Sequence, residues 1–94
     1  MTATTVRLMI PARRNDLPEW EISRDQHVIG WVREWHASTS TRPFYRATGI
    51  DPDTGQRVAL ESSADRDERI QAVQDFHEHP DASPHRQMRI RSPR

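Results

Sequence analysis

Apolar and polar residues alternate with period two over several short stretches of this chain, and with the period of a helix over one. Val6, Leu8 and Ile10 alternate with Arg7 and Met9, which predicts a short strand at 5–10, ended by Pro11 because proline removes a ladder donor. Trp20 and Ile22 alternate with Glu19, Glu21 and Ser23, and Asp25-Gln26 breaks the run. A strand followed by a turn is the expectation there. His27 to Trp35 is rich in β-branched and aromatic residues. Strand geometry puts Ile29, Trp31, Arg33 and Trp35 on one side and Val28, Gly30 and Val32 on the other. With both sides partly apolar, this segment reads as a central strand with some cover on each face.

His36 to Pro43 is a Ser/Thr-rich connector with nothing to bury. Phe44–Ile50 and Arg57–Ser62 flank Asp51-Pro52-Asp53-Thr54-Gly55, where proline presets φ and glycine supplies a positive φ, so a hairpin is expected. If Ile50 pairs with Gln56, then Phe44, Ile50, Val58 and Leu60 share a face and Tyr45, Ala47, Ala59 and Glu61 take the other. A bulge at Gly55 would flip one strand's assignment. Asp65, with Glu68 three residues on and Asp67 between, marks a helix start. The helix is expected to run to about His77 or Glu78. Ile70, Ala72, Val73, Phe76 and His77 fall on one arc of it, with Arg69 inside the arc and obliged to snorkel or pair.

These elements give an α+β fold: a small antiparallel meander of three or four strands with one C-terminal helix packed on it, in the order β-β-β-β-α. Residues 1–18 read as an N-terminal arm with the short strand at 5–10. Residues 19–79 read as a single α+β domain. Residues 80–94, with three prolines and a basic balance, read as a tail expected to be disordered. A 61-residue body is small for one core, so a homodimer is a reasonable expectation.

Composition changes this picture in three ways. The 94 residues are 33% hydrophobic and 30% charged, too polar for the whole chain to pack into one globule. The formal net charge of zero hides a division. Positions 19–79 hold seven arginines against twelve carboxylates, a balance of −5, while 1–18 carry +2 and 80–94 carry +3. All fourteen basic residues are arginine. That bias follows first from a GC-rich genome and second from the preference of guanidinium for phosphate and carboxylate. There is no cysteine, which excludes thiolate catalysis, disulfides and cysteine zinc sites. No apolar run approaches the length of a secretory hydrophobic region or a membrane span, so a cytoplasmic location without membrane contact is expected.

Three constellations have chemical potential. Trp31, Arg33, Trp35, Tyr45 and Arg46 would make an aromatic and guanidinium surface able to stack bases or to anchor a protein partner. The competing reading puts Trp20 and Trp31 in the core beneath the helix and leaves Trp35 exposed. Arg13, Arg14, Arg86, Arg89, Arg91 and Arg94 would hold phosphates if the chain bound nucleic acid. His77, His79 and His85 are the densest potential metal ligands, but residues two apart on a helix point in nearly opposite directions, and a helix C-terminus that favours histidine explains them better. With only Gly30, Gly49 and Gly55 available, phosphate-cradling loops and dinucleotide fingerprints are missing, as is a nucleophile elbow. The expectation is a non-enzymatic protein-interaction module without a cofactor, an accessory or regulatory factor of a GC-rich bacterium or its phage. Nucleic-acid binding through the sheet and the arginine tails is the alternative. The order of elements resembles that of the arm-type DNA-binding domains of phage integrases, a likeness of topology that carries no shared motif. It implies DNA binding, against which the −5 balance of the body stands. Metal binding at the C-terminal histidines ranks third.

Overall fold

The computed structural model describes residues 3–9, 17–36 and 41–81. Five strands, β1 (Thr4–Met9), β2 (Glu19–Arg24), β3 (His27–Trp35), β4 (Phe44–Ile50) and β5 (Arg57–Ala59), form one antiparallel sheet in chain order, and α1 (Arg66–Glu78) packs on it. The α+β meander with a C-terminal helix is therefore present, with five strands where three or four were expected. The fifth comes from the N-terminal stretch. Thr4–Met9 pairs along its whole length with β2, from Thr4 opposite Arg24 to Met9 opposite Glu19. Ala3 ties its start to the β2–β3 turn, accepting from the Asp25 N–H at 3.0 Å and donating to Asp25 Oδ1 at 3.1 Å. Farther along, Arg7 meets Glu21 at 3.0 Å.

Asp25 and Gln26 make the two-residue turn between β2 and β3, both with positive φ (51° and 72°). That is the handedness a tight hairpin needs to match the twist of its strands. One irregularity follows: the β2–β3 register shifts between Ile22 and Ser23, so Ile22 faces Gly30 while Ser23 faces Val28. The extra residue is Ile29, and its side chain joins the core with Ile22 and Val32. Strict alternation had placed it beside Trp31; the bulge re-aims it.

The 51–56 loop corrects a second face assignment. Gly55 adopts φ 77° and donates to the Asp51 carbonyl, and the Asp51 N–H donates to the Gln56 carbonyl, each at 2.8 Å. Asp51 and Gln56 thus close the loop, and Ile50 pairs with Arg57, not Gln56. This one-residue step reverses β5 relative to β4. Val58 and Leu60 now share a face with Tyr45, Ala47 and Gly49, and Ala59 goes with Phe44 and Ile50.

α1 begins at Asp65, whose Oδ1 accepts from the Glu68 N–H at 3.1 Å, and ends at His79, whose N–H donates to the Asp75 carbonyl. Its buried side chains are Arg69, Ala72, Val73 and Phe76. The helix lies over β3 and β4, where two glycines let it come close. A Cβ on Gly49 would strike the ring of Phe76, and one on Gly30 would strike the Thr48 carbonyl and approach Val73 Cγ1 to 2.6 Å. The core is Ile22, Ile29, Val32, Ala47 and Leu60 from the sheet side and Ala72, Val73 and Phe76 from the helix. Arg69, 3% exposed, reaches past this core to the Glu61 carbonyl and to Glu68 at 3.1 Å. Among the described residues no helix is long and apolar enough to cross a membrane.

Candidate functional site: two uncovered surfaces of one sheet

Because a single helix covers β3 and β4, the sheet keeps two surfaces without a covering element among the described residues. The first is the whole face opposite α1. Alternation and register put Arg7, Glu19, Glu21, Trp31, Arg33, Trp35, Phe44, Arg46, Thr48, Ile50 and Arg57 there. The side chains organise in pairs. The Arg46 guanidinium lies over the Trp35 ring and that of Arg57 over the Trp31 ring, each 4.4 Å from the ring centroid. Trp35 and Phe44 pair at 5.9 Å with a tilt of 49°. Cation–π attraction holds each guanidinium over an indole, and both arginines remain exposed.

Four of the five residues expected to form an aromatic and guanidinium surface, Trp31, Arg33, Trp35 and Arg46, are thus together on this face. Tyr45 is not among them. Its neighbours Phe44 and Arg46 point to the open face, so Tyr45 points to the helix side, where its ring meets Trp20 at 6.1 Å. Trp20 packs on the core as expected, with Arg66 over it at 5.0 Å. Trp31, in contrast, does not lie beneath the helix: the odd positions after the Ile29 bulge turn away from it. Arg57 was not singled out in the sequence, because its place beside Trp31 depends on the hairpin step at Gly55.

The second surface lies on the helix side, where α1 stops short of β1 and β2. Val6, Leu8, Trp20 and Ile70 line an open groove of about 430 Å³, rimmed by Arg66, Asp67, Gln71 and Gln74. Val6 and Leu8 are 42% and 57% exposed. The bond from the Asp25 N–H to Ala3 fixes the phase of the ladder. Odd-numbered residues of β1 turn their N–H and C=O towards β2, so Thr4, Val6 and Leu8 turn theirs outward. Backbone donors and exposed apolar side chains therefore coincide at the same positions on one edge.

The histidines are less concentrated. His77 shares a hollow at the helix C-terminus with His27, Arg24, Asp25 and Glu78, where Arg24 and Glu78 form an ion pair. His79 caps the helix and is exposed. No three His, Asp or Glu side chains among the described residues are placed to hold a metal ion. His36 bonds to Glu34 at 2.9 Å, far along β3 from His27. His85 and the tail arginines Arg86, Arg89, Arg91 and Arg94 lie outside the described residues, as do Arg13 and Arg14. Comparison of the chain with known protein families, with curated proteins and with solved structures finds no match.

Proposed function

We propose that this protein is a non-enzymatic protein-interaction module whose β1 edge accepts an extended segment of a partner as a sixth strand. The observation that carries this is the coincidence at Thr4, Val6 and Leu8 of outward backbone groups with the two most exposed large apolar side chains of the described chain. A regular six-residue edge invites strand addition unless something blunts it, and natural proteins guard such edges with charge, bulges or cover. Here the ladder with β2 is regular along all six residues, and Val6 and Leu8 face the groove. An added strand would gain main-chain hydrogen bonds along β1, while alternate apolar side chains would settle against Val6 and Leu8 beside Trp20 and Ile70. A second copy of this chain is one possible bearer of such a strand.

Capture from a nuclease-treated lysate of the source cell tests the reading. Wild-type chain should retain a stoichiometric protein that Val6→Ser/Leu8→Ser and Leu8→Pro lose. The proline removes an outward N–H and no ladder bond, so the sheet should stay folded. Amide exchange at Thr4, Val6 and Leu8 should slow in the complex. Retention of the same protein by the edge variants, or its loss only on changing Arg46 and Arg57, would refute edge binding. Sedimentation of the purified chain as monomer alone would leave a different protein as the strand donor.

A further inference from the structure

Every carboxylate and guanidinium of the described residues can be assigned to the open face or to the rest of the molecule, and the division is uneven. The open face has four arginines, Arg7, Arg33, Arg46 and Arg57, against Glu19 and Glu21, a balance of +2. The remaining described surface has four arginines against eleven carboxylates, a balance of −7. The acidic body is thus acidic at the helix and the turns, and basic on one flat side. Glu21 is engaged by Arg7 and Glu19 stands opposite Arg33 in the β2–β3 register. That leaves Arg46 and Arg57, over β4 and β5, as the positive charge with no carboxylate opposite it among the described residues of the sheet.

The order of side chains along the strands adds a second observation. Trp35 and Phe44 form one row, Arg33 and Arg46 the next, then Trp31 with Thr48, then Arg57 with Ile50. Rows stand roughly 6.7 Å apart, and the strip from β3 to β5 is about 10 Å wide. Arg46 leans onto Trp35 and Arg57 onto Trp31, so the rows present two rings each carrying a guanidinium. This pairing of flat surface and positive charge suits a single nucleic-acid strand, whose bases stack and whose phosphates pair. The arginines over Trp31 and Trp35 extend the stacking surface, since a guanidinium plane carries a base as an aromatic ring does. A carboxylate-rich peptide would use the guanidinium groups and leave the indoles without a role. A duplex hides its bases' flat faces, and its phosphates would have to cross Glu19 and Glu21.

We propose that the open face of the sheet, through Trp31, Trp35, Phe44, Arg33, Arg46 and Arg57, binds single-stranded nucleic acid. This surface is separate from the β1 edge, so the two proposals fail independently.

The test uses the full chain and a labelled twelve-nucleotide oligo(dT), read by anisotropy and by tryptophan emission. At low salt the oligonucleotide should bind and quench the tryptophans, with affinity falling steeply as salt rises. Arg46→Glu/Arg57→Glu, at two exposed positions, should weaken binding at least about ten-fold and flatten the salt dependence by about 1.4 in log–log slope, the loss of two single-strand phosphate contacts. Trp35→Leu should lessen quenching and affinity with the charge unchanged, while Leu8→Pro should bind as wild type does. Equal affinity of the Arg46/Arg57 variant would assign binding elsewhere in the chain and overturn the proposal. So would binding of a duplex of the same length, or of poly-glutamate, as tight as that of the single strand.

Discussion

On the helix side of the sheet, Ile22, Val32, Ala47 and Leu60 meet Ala72, Val73 and Phe76 with no solvent between them. On the other side β3, β4 and β5 carry Trp31, Trp35, Phe44 and three arginines, with guanidinium groups over the two indoles. Large aromatic side chains are present on both sides, yet they serve different ends. Phe76 is fully buried and rests on a backbone cleared by Gly49, so its contribution is to stability. Trp31 and Trp35 are half-buried and bring less to folding than Phe76 does. What separates the two faces is the reach of one 13-residue helix, which lies over β3 and β4, buries Ile22 of β2 and leaves Val6 and Leu8 of β1 exposed on its own side.

The largest effect expected from this contrast is on stability. Phe76→Ala should cost about 3–5 kcal/mol, the usual loss for a buried aromatic with the cavity it leaves. For a domain of this size that is most of the total, so the variant should lose its cooperative thermal transition. Trp35→Ala should cost less, roughly 2 kcal/mol, as befits a large side chain that keeps part of its surface in water and leaves no closed cavity, and should keep a sharp melt. Equal losses at the two positions would mean that the open face is structural, and the contrast between the faces would collapse.

Gly30→Ala sharpens the same contrast from the backbone. Its Cβ has nowhere to go between the Thr48 carbonyl and Val73, and an overfilled core of this kind costs typically about 1–3 kcal/mol. A melting temperature lower by some 4–8 °C per kcal/mol is the expected reading. An unchanged melt would show that the helix rides higher over β3 than the packing of Val73 implies.

The elements of the fold were legible in the sequence, and the faces of its strands only in part. Period-two alternation in Glu19–Ser23 and the Asp65 cap with its apolar arc led directly to β2 and α1, because both signals are local. Arg69 was foreseen as a charge inside the apolar arc, and it does pair. Two single-residue events decided the rest, the flip at Gly55 that the turn's sequence left open and a bulge at Ile29 that no local pattern announces. The bulge at Ile29 and the step at Gly55 each shift a register by one, and with a period of two that reverses every side chain beyond. Tyr45 was grouped with Arg46 by proximity along the chain, although neighbours on a strand face opposite ways. The exposure of Val6 and Leu8 had no local signal at all: it depends on how far across the sheet a helix sixty residues later can reach.

The smallest expected effect concerns the stacked pairs themselves. Arg57 over Trp31 is a solvent-exposed cation–π contact, for which about 0.5–1 kcal/mol is the usual coupling. A double-mutant cycle with Arg57→Ala and Trp31→Leu isolates it, since each change alone also removes packing. If the coupling lies in that range while both single variants still fold cooperatively, the guanidinium is held on the ring weakly enough to be re-aimed by a phosphate and firmly enough to be in place beforehand. A coupling near zero would mean that the arginine moves freely over the face, and any ligand would then have to bear the entropy of fixing it. A coupling of several kcal/mol would make the pair part of the fold, and Trp31 would belong with Phe76 after all.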